Sequence, residues 1–120
     1  MTEFIELNRI RIAFEVEGRP ASVQSSAKER QQFKERIRQA LPKTDKLLAG
    51  DIHLTITWFC TEEHRYTDQR AIDVDNIIKP IIDTLKGELL IDDCQVISVL
   101  VSWIDITSGH RIAIEIEDTL

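Results

Sequence analysis

The sequence predicts an α/β (α+β) fold, a single domain over residues 1–120 with a mixed sheet of about four strands and two main helices in the order β-α-β-α-β-β. Three observations lead there. Four segments are apolar at every second residue or on both faces, as strands are. Two others carry apolar residues at helical spacing between start and stop signals. No repeat, low-complexity stretch or linker divides the 120 residues, and a chain of this length buries roughly two-thirds of its unfolded surface, enough for one core.

Ile10, Ile12, Phe14 and Val16 alternate with Arg11, Ala13 and Glu15, which predicts a first strand with one buried face, broken by Gly18-Arg19-Pro20. Ser26 followed by Glu29 is a capping-box pattern, and Phe33, Ile37, Ala40 and Leu41 recur at helical spacing up to Pro42. A first helix over about 27–41 follows. From Asp51 to Cys60 the alternation is strict and predicts a second strand, whereas residues 61–72 have no period and read as a connecting loop. Ile78, Ile81, Ile82 and Leu85 form the stripe of a second helix ending at Gly87. Pro80 fits only in a first turn, where backbone N–H groups have no intrahelical partner, so this helix should start close to Asp75-Asn76. Val96 to Ile106 is apolar on both faces, the pattern of a central strand. Ile112, Ile114 and Ile116 mark a last strand, expected to form a hairpin with it through Ser108-Gly109.

Composition is that of an ordinary globular chain, 42% hydrophobic and 30% charged, with no apolar run near the roughly 18 residues of a membrane span. The acidic start, Met1 to Glu6, is unlike a signal peptide, and a cytoplasmic protein is expected. Cys60 and Cys94 form no CxxC pair and are expected to be buried thiols. His53, His64 and His110 show no ligand spacing and are expected on the surface or in loops. The net charge of -6 argues weakly against a nucleic-acid binder, since phosphate neutralisation normally calls for a basic surface, but the charge is unevenly spread. Residues 1–46 carry 10 Lys+Arg against 7 Asp+Glu, while residues 47–120 carry 5 against 14.

The acids gather where chemistry is conceivable. Asp73-Val74-Asp75-Asn76 lies at a loop-to-helix junction, Lys79 follows one turn after Asp75, and Asp92-Asp93 forms a turn beyond the second helix. Neighbouring carboxylates repel, and a divalent cation between them relieves the repulsion. Oxygen ligands select hard ions, magnesium or manganese. A cation so held can polarise a phosphodiester while a lysine stabilises the charge of the transition state. On spacing alone the same residues also fit a helix N-cap, a solvated lysine and an ordinary turn.

The run Asp73-Val74-Asp75-Asn76-Ile77-Ile78-Lys79-Pro80-Ile81-Ile82-Asp83-Thr84-Leu85, followed by Leu90-Ile91-Asp92-Asp93-Cys94-Gln95-Val96, resembles the signature of the RusA-type Holliday junction resolvases. That signature has a D-L-D-N start, a lysine in the next turn, a helix ending in D-x-L and a D-D-x-Q-[VI] turn, with Val74 here in place of leucine. Gly18 to Gln24 keeps the family's proline-rich leading segment only in part. The resemblance implies a homodimeric, magnesium-dependent endonuclease, with manganese able to substitute, that cuts four-way DNA junctions in recombination and repair. It implies metal-binding and catalytic roles for Asp73, Asp75 and Asp93, with Asp92 a further candidate ligand, and a catalytic role for Lys79. Asn76 and Gln95 would support the site, and Asp83 would be structural. Arg9, Arg11, Arg19, Lys28, Arg30, Lys34 and Arg36 are the candidate phosphate contacts. Two rivals remain: a metal-dependent nuclease of broader substrate range, and a silent relative that binds DNA or protein without cutting.

Overall fold

The computed structural model describes residues 10–21, 25–61 and 74–119. Strand β1 (Ile10–Glu17) leads to helix α1 (Ala27–Ala40) and strand β2 (Asp51–Thr61). A 3₁₀ turn (Val74–Ile77) runs into helix α2 (Ile78–Leu85), and a second 3₁₀ turn (Asp93–Gln95) opens β3 (Val96–Ile106), followed by β4 (Arg111–Thr119). The element order and the four-stranded mixed sheet are those the sequence predicts.

Ser26 caps α1 by accepting from Glu29 N at 3.1 Å, and the helix stops one residue before the expected end, with Leu41 as its C-cap ahead of Pro42. Pro80 lies in the first turn of α2, as its missing N–H requires. The α-helix itself begins at Ile78, with the preceding turn wound as 3₁₀. Gly87 follows the C-cap Lys86 with φ +86°, the left-handed conformation that ends a helix. At Gly18, φ is +93° and the Arg36 guanidinium passes over the position a Cβ would take. Only glycine fits both constraints.

The sheet order is β1-β4-β2-β3, with β4 antiparallel to both neighbours and β2 parallel to β3. Ile52, Leu54, Ile56, Trp58 and Cys60 face one core with Ile112, Ile114 and Ile116, and on them lie Phe33 and Ile37 of α1 and Ile81 and Leu85 of α2. Trp58 stacks on Trp103 of β3 at 4.4 Å between ring centroids. Both helices therefore cover one face of the sheet. The other face, with Arg11, Glu15, Thr55, Thr57, Phe59 and Glu115, carries no helix among the described residues and is called the open face. Among the described residues no helix is long and apolar enough to cross a membrane.

Two expectations are corrected. β3 and β4 do not form a hairpin: β4 lies between β1 and β2, and β3 pairs with β2 alone. The four residues 107–110 suffice to step over one strand, since two sheet spacings amount to about 10 Å. Nor is β3 central, although it is apolar on both faces; it is an edge strand. The loop expected at 61–72 lies almost wholly outside the described residues, while Thr61 ends β2.

Candidate active site

At the N-terminal end of β3 the chain makes a tight polar turn whose geometry depends on one side chain. Gln95 Oε1 accepts from Ile91 N at 2.8 Å and Asp92 N at 2.9 Å, while Nε2 donates to Leu48 O at 2.8 Å and Gly50 O at 3.0 Å. All four hydrogen-bonding positions of the amide are thus used. The Asp92-Asp93 turn is thereby tied to the segment that enters β2, which is also bonded through Leu48 N to Leu89 O at 2.7 Å.

Asp93 points into a groove of about 550 Å³ between α2 and the start of β3, lined also by Ile78, Lys79, Ile82, Asp83, Cys94, Val96 and Val99. The expected catalytic lysine and one expected metal-binding aspartate thus share a single cleft. Lys79 and Asp83 are i and i+4 on α2, with Nζ 3.6 Å from Oδ2, and the lysine side chain is largely solvated. In water such a pair adds little to stability. The pair sets the ammonium at the wall of the groove beside Asp83. Asp92 stands beside the cleft, 3.8 Å from Lys86 Nζ. Its carboxyl is held below the usual carboxylate range, first by the hydrogen bond shared with the Asp93 side chain, then by the backbone N–H groups of Asp93 and Cys94 and by the charge of Lys86.

Asp75 belongs to the 3₁₀ turn immediately before α2, and Asn76 in the same turn is half-buried; Asp73 lies outside the described residues. Among the described residues no three His, Cys, Asp or Glu side chains form a metal-binding group. The donors present in the groove, Asp83 and Asp93, are carboxylates, the oxygen type that suits magnesium or manganese. Asp83 was expected to be structural, and its place in the groove was legible in its i+4 spacing from Lys79. Cys94, expected to be buried, is exposed at the groove, because it sits in the 3₁₀ turn where no element covers it; Cys60 is buried as expected. His53 lies on β2, on the open face, with Nδ1 2.5 Å from Ser98 Oγ, and His64 lies outside the described residues.

The candidate phosphate contacts do not form one surface. Arg11 is on the open face, where it meets Glu115 at 2.6 Å, whereas α1 packs on the opposite face. Arg36 donates to Glu17 O and to Arg19 O and lies 5.4 Å from the Phe33 ring centroid, tying α1 to the end of β1. Arg30 donates to Ser25 O. Lys28 is exposed and Lys34 half-buried on α1, Arg19 is exposed after β1, and Arg9 lies outside the described residues.

A lysine and two carboxylates, Lys79, Asp83 and Asp93, thus meet in one cleft beside the sheet. No curated protein matches the chain. Residues 13–117, which hold β1 through most of β4 and the whole groove, match the family model described as endodeoxyribonuclease RusA, and the chain belongs to that family of nucleases.

Proposed function

We propose that this protein is a magnesium-dependent, structure-selective DNA endonuclease that resolves four-way junctions by phosphodiester hydrolysis. The observation that carries the reading is the meeting of Lys79, Asp83 and Asp93 in one groove next to the turn that bears Asp75. Asp73, Asp75 and Asp93 would hold the ion, with Asp92 beside them. The bound cation would supply Lewis acidity toward the scissile phosphate and a more acidic water nucleophile.

The remaining work falls to the chain. Lys79 places positive charge where the oxygens of the scissile phosphate gain negative charge, and stabilises the transition state more than bound DNA. Asp83 keeps the ammonium oriented from one helical turn away. Gln95 holds the Asp92-Asp93 turn in place, so that carboxylates need not reorganise during the reaction. The protein acts as a homodimer in the cytoplasm, a two-fold enzyme presenting two such grooves to a junction of matching symmetry.

The test is cleavage of a four-way junction compared with linear duplex of the same sequence, each with and without magnesium. Junction cutting that requires magnesium and exceeds duplex cutting supports the proposal. Equal cutting of both substrates would make the protein a nuclease of broader range, and binding without cutting a silent relative.

A further inference from the structure

The groove between α2 and the start of β3 has an aliphatic wall that phosphate chemistry does not call for. Ile78 and Ile82 are i and i+4 on α2, beside the Lys79 and Asp83 pair, and so line the cleft together. Val96 and Val99 line it from β3. Residues three apart on a regular strand face opposite sides, but the register of β3 against β2 shifts here. Val96 pairs with Ile52 and Val99 with Leu54, which leaves Ile97 as the extra residue. Such a bulge is rare between parallel strands, and beside active sites bulges re-aim side chains. This one turns both valines toward the helices and leaves Ile97 55% exposed, while Val99 stays 37% exposed at the mouth of the groove.

Resting on the junction-cutting reading above, we infer that this groove receives one unstacked nucleotide at the cleavage point, its base against Ile78, Ile82, Val96 and Val99 and its phosphate toward Lys79. The volume of about 550 Å³ lies within the roughly 300–1,000 Å³ of clefts that bury a small organic molecule, and the lining is of the same kind, mostly apolar with a few placed polar groups. A phosphate backbone crossing the groove gains nothing from aliphatic side chains, whereas the face of a base does. Lys79, its side chain 70% exposed, stands on the polar side of the same cleft. A nucleotide, with an apolar face at one end and an anion at the other, matches both sides. In a continuous duplex the base faces are covered by their neighbours, and uncovering one costs its stacking and pairing. At the branch point of a four-way junction the strand leaves one helix for another, so the stack is interrupted and a base is exposed at lower cost. The groove thereby selects the junction over linear duplex without reading its sequence.

The test places 2-aminopurine, a base whose fluorescence is quenched by stacking, on either side of the mapped cut in a four-way junction, with calcium replacing magnesium to hold the strand uncut. Binding of the full chain should raise its emission at least about twofold at one of the two positions, because aliphatic walls do not quench it. Val99→Phe, which fills the mouth of the groove with a residue that strands accept, should lose that rise. It should also cut the junction about tenfold more slowly in magnesium while junction affinity moves little, and Val99→Ile should keep both properties. A mismatched base at the same position should speed cutting by the wild type and not by Val99→Phe. Junction cutting with a silent probe at both positions, or Val99→Phe cutting at the parental rate, would overturn the inference and leave the junction reading standing. A wild type that neither binds nor cuts the junction would overturn both. Should Val99→Phe fail to fold, the probe and mismatch measurements on the wild type decide alone.

Discussion

Along β1, at one edge of the sheet, Arg11, Glu15 and Glu17 line the open face, with Arg11 2.6 Å from Glu115 and Arg111 3.6 Å from Glu15. The exposed apolar side chain of that strand is Ile10, at its first residue. Along β3, at the other edge, Ile97, Val99, Leu100 and Ile104 are solvent-exposed, and the candidate groove opens beside the strand's first residues. One edge is closed to further strands by charge, and the other is left receptive. The difference teaches that the candidate groove and the exposed apolar side chains of β3 share one half of the molecule. The other half carries the ion pairs of β1 with β4.

Substitutions test that division, and the largest effect is expected at the acids of the β3 half. Asp75→Asn or Asp93→Asn should lower junction cleavage by about a thousandfold or more, equivalent to about 4 kcal/mol of transition-state stabilisation. The melting temperature without metal should hold or rise as carboxylate repulsion is relieved. Parental cleavage rates in both variants would remove the chemistry from this half. Lys79→Ala should lower the single-turnover rate about a hundredfold while junction affinity changes little. Equal losses in rate and affinity would make Lys79 a phosphate contact instead.

Gln95→Ala breaks four hydrogen bonds at once and leaves backbone groups around the turn without their partner. A loss of about 1–3 kcal/mol in denaturant unfolding is expected, together with slower cleavage. A variant as stable as the parent would show that the turn holds its shape without the clamp. A smaller, pH-dependent effect belongs to Asp92. Because its folded pKa is depressed, its contribution to stability is present above the ordinary carboxylate range and is lost as pH falls through the lowered folded value. Asp92→Asn should therefore lessen the loss of stability on acidification, as seen in melts taken stepwise down through pH 4, and an unchanged acid profile would count against it. The smallest effect is expected on β1, where Arg11→Ala removes an exposed ion pair. Neither cleavage nor melting temperature should move beyond error, and a marked fall in cleavage would bring the charged edge into the functional half.

Much of this was legible in residue order. Helix α1 was readable from the Ser26 and Glu29 pair and Pro42, and the first turn and end of α2 from Pro80 and Gly87, because caps and breakers act within a few residues. The alternation of β1, β2 and β4 marked their buried faces for the same local reason. The D-D-x-Q turn marked Asp93, and the family followed from motif and length together.

Strand neighbours were not legible, because pairing joins residues far apart in the chain. Apolarity on both faces of β3 is equally compatible with a central strand and with an edge awaiting a partner, and a short polar connection suits both a hairpin and a step across one strand. The sequence by itself determined the order of the elements, the buried faces of β1, β2 and β4, and which residues could do chemistry. Tertiary structure alone decided that β4 separates β1 from β2, that Gln95 reaches 45 residues back in the chain to Gly50, and that Asp93 meets the Lys79 and Asp83 face of α2 in one groove. These are long-range contacts, selected by the packing of the whole core, and no local pattern encodes them.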